Sequence, residues 1–410
     1  MRTTRRTFLR TAGAGAVAVR FGGGRMGDVQ HDAYDVAVVG AGVFGSWSAL
    51  ELRERGLRVA LIDAYGPGSS RASSGGESRV IRMGYGPDEI YTRSSMRSLE
   101  RWTAFFEQVG RPLFHKTGVL WMAEGNDPIT TKSLETLKKV GVPHEVLRRG
   151  ELEARYPQIN LGPITWAIYE PGSGVLMARR AVQAVVEEAV RHGVDFIPGA
   201  VMPPTGRGRL ESIECGTATI RAGTYVFACG PWLGKVFPSV LGERIFPTRQ
   251  EVFYFGTPPG DTRFQPGAMP VWIDFGAEVY GMPDIESKGF KVAPDRHGPA
   301  FDPDTGERLV TEKTLAETRA FVADRFPGLA KAPVVATEVC QYENTSNGDF
   351  LVDRHPDFGN VWLVGGGSGH GFKHGPVMGE YVAAAVTGTG APEPRFALAT
   401  KAATQNRSVH

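Results

Sequence analysis

Two hydrophobic periodicities alternate along this chain, and which one prevails changes with position. Residues 34–39 form an almost unbroken apolar run, the pattern of a parallel strand covered on both faces, and the run ends in Gly40-Ala41-Gly42-Val43-Phe44-Gly45. Residues 46–55 then read as a helix closed by Gly56, a natural C-cap, and residues 58–63 as a second buried strand ending in an acid. The unit is strand, glycine turn, helix, strand. Residues 87–110 predict a long amphipathic helix with Ile90, Leu99, Trp102 and Phe106 on its buried face. A loop-rich region with scattered strands is expected to about Ile168, then a helix over 179–192 and a strand over 225–228 that breaks at Cys229-Gly230-Pro231. Across 246–293 the alternation has period two, as in 251–255 and 278–281, which predicts an antiparallel sheet. Residues 311–326 read as a helix, 361–364 as a strand meeting Gly365-Gly366-Gly367-Ser368-Gly369, and 376–387 as a closing helix.

Parallel elements therefore lie at both ends and antiparallel ones between. The fold class this predicts is α/β plus α+β: a Rossmann-type βαβ dinucleotide domain assembled from 32–110, 165–240 and 335–395, interleaved with an antiparallel-sheet substrate domain from 111–164 and 241–334, and a tail over 396–410. With 410 residues, 41% hydrophobic and 22% charged, the composition is that of a globular protein with no membrane span. A net charge of +2 gives no electrostatic case for nucleic acid. Three cysteines, Cys215, Cys229 and Cys340, are too few and too scattered for a disulfide framework or a metal knuckle. Residues 1–31 stand apart: Thr4-Arg5-Arg6-Thr7-Phe8-Leu9-Arg10 and the weakly apolar 11–19 are similar to a twin-arginine export signal, implying the export machinery as partner and a periplasmic or secreted enzyme. A basic arm on a cytoplasmic enzyme is the alternative, because Arg20 interrupts the apolar stretch and no Ala-x-Ala site follows.

Gly40, Gly42 and Gly45 gain their meaning from context. Following a strand and opening a helix, the first glycine permits a tight turn, the second lets the backbone reach a pyrophosphate, and the third allows close helix–strand packing; Val43 and Phe44 belong to this cofactor-binding turn, the helix dipole favours phosphate, and Asp63 is placed to accept from a ribose. This unit does not separate NAD from FAD. The second glycine turn at 365–369 does, since a strand, turn and helix near the far end suit the pyrimidine edge of a flavin. His370 and His374 have helical spacing without the glutamate of a zinc protease motif, and Ser368 is not in a nucleophile elbow, so neither metal binding nor hydrolysis is expected.

Three segments, Ser78-Arg79-Val80-Ile81-Arg82, Cys340-Gln341-Tyr342 and Ser368-Gly369-His370-Gly371-Phe372-Lys373, resemble signature stretches of the monomeric sarcosine oxidase family, which includes N-methyltryptophan and pipecolate oxidases. The similarity runs from about 35 to 390, with further matches at 116–120, 170–176 and 301–305. The resemblance implies FAD, joined through Cys340 by a thioether at the flavin 8α carbon. It implies cofactor contacts from Ser70, Arg71, Ser78, Arg79, Gly367, Gly369, His370, Gly371 and Lys373, beside those of the first glycine turn. Arg82 and Lys373 would hold a substrate carboxylate, Arg79 would pack over the flavin, Tyr280 and Tyr342 would be active-site tyrosines, and Lys291 would promote reaction of reduced flavin with O2. Taken singly, such residues read as surface charges and sheet packing. The implied activity is oxidation of a secondary amine, an N-methyl or cyclic amino acid, to an imine, with O2 giving H2O2, by a monomer. Alternatives are an amine dehydrogenase feeding a carrier or quinone, a biosynthetic enzyme acting on a large scaffold, and a non-catalytic binding protein. The family often has histidine where this chain has Gly75 and Asp295. With Glu343, these departures predict a wider, more acidic pocket and a larger or more basic amine.

Overall fold

The apolar run Tyr34–Val39 is the fourth strand of a six-stranded sheet ordered Leu351–Arg354, Val361–Gly365, Ala222–Phe227, Tyr34–Val39, Val59–Asp63, Asp195–Pro198. All neighbours pair in parallel except the edge strand Leu351–Arg354. Its unbroken apolarity follows from cover on both faces: Val36 and Val38 belong to one buried cluster and Ala37 and Val39 to another. On the first face lie the helices Val43–Glu54, Ala178–Arg191 and Gly375–Thr387. Gly379 lets the last helix lie against Trp47, whose backbone would be 2.8 Å from any added Cβ. A computed structural model describes residues 34–405; the twin-arginine-like segment lies outside the described residues.

An eight-stranded sheet forms the second layer, ordered Val334–Asn344, Phe246–Phe255, Phe290–Pro294, Val279–Met282, Val271–Asp274, Val119–Ala123, Trp166–Glu170, Glu145–Arg148. Only the Val271–Asp274 and Val119–Ala123 pair is parallel. Helix Glu312–Arg325 covers it, with Thr311 accepting from Thr314 N as N-cap, and Trp272 is stacked between Phe290 and Phe321. Strand pairing departs from the expected segment boundaries at two places. Trp166–Glu170 and Val334–Asn344, which open two segments assigned above to the cofactor domain, hydrogen-bond in the antiparallel-rich sheet instead.

The helices Glu89–Gln108, Ala178–Arg191, Glu312–Arg325 and Gly375–Thr387 lie where the periodicity predicts them. The region expected to be loop-rich holds two more, Pro128–Val140 and Arg149–Arg155. The first has the punctuation of a helix, with Asp127 accepting from Thr130 N at 2.6 Å, Pro128 in the first turn and Gly141 at φ +81° beyond its end. Its apolar stripe is thin, because it packs on one side only. Among the described residues no helix is long and apolar enough to cross a membrane.

Candidate active site

The first glycine turn is shaped by close approach. Gly40 sits at φ +106°, and a Cβ there would meet Ala228 O at 2.3 Å; at Gly45 it would meet Gly40 O at 1.8 Å. Gly42 differs: its nearest neighbour would be Ser74 Oγ at 3.6 Å, so the space before it is open to a ligand. The helix Val43–Glu54 has no acidic residue in its first turn, which leaves its positive end to an incoming anion. Asp63 braces the turn, accepting from Ala41 N through Oδ2 at 2.7 Å and from Tyr65 N and Gly66 N through Oδ1 at 2.8 Å.

A cavity of about 320 Å³ runs from this turn to the second one. Gly40, Gly42, Val43, Phe44 and Asp63 line one end, and Arg79, Cys340, Gly367, Gly369 and Gly371 the other. Within it, Ser73 Oγ and Gln341 Oε1 are buried without a hydrogen-bond partner, so the cavity offers polar atoms that suit a polar ligand. A second chamber of about 210 Å³ adjoins it, and Arg79, Tyr342, Gly369 and Phe372 line both. Arg79 is fastened in this common wall by Ser78 O and Ser73 O, each at 2.8 Å, and touches Cys340 Sγ at 3.1 Å.

Arg82 and Lys373, nearly three hundred positions apart in the chain, both line the second chamber, with Tyr280 and Asp295. Tyr85 joins them: the Arg82 guanidinium stacks 4.4 Å from its ring centroid, and Lys373 Nζ donates to its hydroxyl at 2.9 Å. A planar guanidinium beside an ammonium suits a carboxylate, and Asp295 is an acid of this chain that already feels both charges.

The family model described as FAD dependent oxidoreductase matches residues 35–385. The chain belongs to the family of FAD-dependent oxidoreductases. It is 32% identical to the monomeric sarcosine oxidase of Streptomyces avermitilis over 367 residues, covering 87% of this chain and 94% of that protein. To the N-methyl-L-tryptophan oxidase of Yersinia pestis it is 26% identical, over 85% of this chain and 94% of that protein. In fold it is similar to L-proline dehydrogenase from P. horikoshii, with a TM-score of 0.77, 21% identity, and 90% of this chain and 97% of that chain covered.

In this FAD-dependent oxidoreductase the larger cavity has what the cofactor requires: room at Gly42, an uncompensated helix N-terminus for the pyrophosphate, and unpaired polar atoms at Ser73 and Gln341. Six of the residues expected to contact it do not line it. Gly45 packs against Gly40; Ser70 faces elsewhere; Arg71 donates to Asp304 O at 2.7 Å and stacks on Tyr65. Ser78 receives Arg79 and Lys291, while His370 and Lys373 line the second chamber instead. Lys291 lines neither space. It lies behind Arg79, donating to Ser78 O at 2.9 Å, and burial and the neighbouring guanidinium pull its ammonium down to about 7.

The wider-pocket expectation fails at two of its three residues. A Cβ on Gly75 would be 1.8 Å from Ser69 O, so glycine is there because the Ser69 carbonyl occupies the space, and the residue borders neither cavity. Glu343 lines the cofactor cavity, where it accepts from Gly366 N at 2.9 Å and burial pushes its carboxyl up to about 7. Asp295 alone stands in the second chamber. The two histidines that raised a metal question are accounted for within the protein, His370 Nε2 by Gly348 O at 3.0 Å and His374 by Tyr85 and Ser94, each at 2.8 Å.

Residue types alone did not expose Tyr85 or Glu170. The Glu170 carboxylate accepts from Met83 N, Gly84 N, Trp121 Nε1 and Ser173 Oγ, at 2.8, 2.9, 2.8 and 2.6 Å. Arg82 stacks 4.6 Å from the Trp121 ring and donates to Gly84 O, so Glu170 orients both surfaces on which that guanidinium rests. The signals the sequence held were its place at a strand end before Pro171-Gly172 and the family match over 170–176.

Proposed function

We propose that the enzyme oxidises a small secondary amine bearing a carboxylate, an N-methyl or cyclic amino acid, to an imine, with O2 as acceptor and H2O2 as product. The observation that carries this is the convergence of Arg82 and Lys373 in a chamber that shares a wall with the cofactor cavity. Held at its acid end, the substrate turns its reacting carbon to that wall, and fixing orientation removes most of the search for a reactive geometry. Bound FAD supplies the two-electron acceptor. Tyr280 and Tyr342 shape the space beside it, and Trp121, Ile273 and Phe275 give it an apolar flank. The position of Cys340 Sγ at the cavity, with its family resemblance, supports a thioether to the flavin. Lys291, buried behind Arg79, supports a role in the oxygen reaction.

The test is turnover in air. Purified holoenzyme given sarcosine, N-methyl amino acids and cyclic imino acids should form peroxide in step with substrate loss. Flavin that is reduced by these amines yet passes electrons only to a quinone, with no peroxide in air, would make the enzyme a dehydrogenase. Failure of every such amine to reduce the flavin would end the reading. Acid precipitation should leave yellow colour on the wild-type chain and none on Cys340→Ala.

A further inference from the structure

Asp295 follows the strand Phe290–Pro294, and its amide donates to Glu278 O at 2.7 Å. Its carboxylate lines the second chamber, and Oδ1 accepts from Tyr342 OH at 2.8 Å. Tyr342 is one of the residues common to both cavities. Asp295 is thus one hydrogen bond from the wall against which the oxidised carbon must lie, and Oδ2 is left to meet a second donor. The amine nitrogen, bonded to that carbon, arrives beside it. Tyr342, Tyr280, Arg82, Lys373 and Glu278 all act on Asp295, and the His297 ring lies 6.4 Å from Tyr342. Burial raises its carboxyl, while Tyr342, Arg82 and Lys373 pull it down. A substrate carboxylate that neutralises Arg82 and Lys373 weakens that pull, which favours passage of a proton from the ammonium to Asp295.

Resting on the amine-oxidising reading above, we infer that Asp295 accepts the proton of the substrate's ammonium group inside the chamber, leaving the neutral amine that can be oxidised. The step moves one proton: an N–H bond breaks, an O–H bond forms, and the nitrogen keeps its electron pair. An ammonium has no lone pair to help expel hydride, so this transfer lets the enzyme work on the zwitterion that dominates at neutral pH.

The experiment compares Asp295→Asn with wild type, both FAD-loaded, on one N-methyl amino acid across pH 6 to 10. Binding of (methylthio)acetate, which has the carboxylate but no protonable nitrogen, is followed in parallel by the flavin absorbance. At pH 7 the variant should lose on the order of 100-fold or more in kcat/KM. Its kcat/KM should then climb about tenfold per pH unit and close on wild type as the free amine becomes abundant, with (methylthio)acetate bound at least as tightly as by wild type throughout. A variant profile parallel to wild type would overturn the proposal, and so would a deficit confined to substrates carrying a second cation. Should the asparagine variant not fold, Tyr342→Phe removes the donor that holds the Asp295 carboxylate ionised. The acid limb of kcat/KM should then move to higher pH, and an unmoved limb overturns the inference. Wild-type flavin that no amine reduces would bring down both readings, whereas parallel profiles bring down the proton acceptor alone.

Discussion

Four donors converge on Glu170, and two of them belong to residues that support Arg82. Glu170→Gln keeps the volume but turns an amide nitrogen toward donors, at about 1–3 kcal/mol for each buried bond lost. The Arg82 guanidinium then loses its aim. KM for carboxylate-bearing amines should rise about tenfold or more at nearly unchanged kcat, while an amine without a carboxylate is turned over as before; equal losses for both would reduce Glu170 to a stabilising role. Arg82→Met removes the charge-assisted bond itself, and about 1.5–3 kcal/mol translates to a KM roughly 10- to 150-fold higher. At this scale the sequence yielded the charged residues and missed their supports. An arginine and a lysine in matching stretches announce themselves. Tyr85, which makes them one device, sits three positions after Arg82 with no spacing that marks it. Gly75 misled for the opposite reason, since a glycine shows which side chain is missing and not which carbonyl has taken its place.

The strand, glycine turn and helix near the start were fully legible because local periodicity and close packing demand the same residues there. The turn also sorts its own glycines. Gly40→Ala and Gly45→Ala drive a methyl into backbone oxygens at 2.3 and 1.8 Å, and both should fail to give soluble, folded enzyme. Gly42→Ala meets only Ser74 Oγ at 3.6 Å and should fold, with its loss showing in FAD content after purification. Gly42→Ala protein that binds FAD like wild type would remove the pyrophosphate from this turn. The facing of residues 69–74 was not legible: Ser69, Ala72, Ser73 and Ser74 line the cavity while Ser70 and Arg71 do not, because an irregular turn has no period to read. The helices Pro128–Val140 and Arg149–Arg155 were missed for want of a broad apolar stripe, though the first has its caps in plain view.

On the scale of the whole molecule, alternation of parallel and antiparallel segments predicted two interleaved layers, but pairing with strands from other parts of the chain, Val334–Asn344 with Phe246–Phe255 and Trp166–Glu170 with Val119–Ala123, sets the borders, and no local pattern encodes it. Burial of Lys291 against Ser78 leaves a signature in stability. Its ammonium titrates near 7 in the fold, well below the ordinary lysine value, so between about 7 and 10.5 the unfolded chain holds a proton the folded one lacks, and this residue makes stability rise with pH across that window. Lys291→Met should raise the melting temperature at pH 6.5, with a margin that shrinks by pH 10; a pH-independent margin would contradict the depressed value. The edge strand Val334–Asn344 belongs to the layer that walls the substrate, yet it carries Cys340 into the groove whose phosphate end is built on the other layer. A flavin bonded to that sulfur would act as a clasp, gripped by one layer at its phosphates and sewn to the other at its ring. Heating should then strip prosthetic group and tertiary structure in a single calorimetric event, and cutting the stitch should split that event in two.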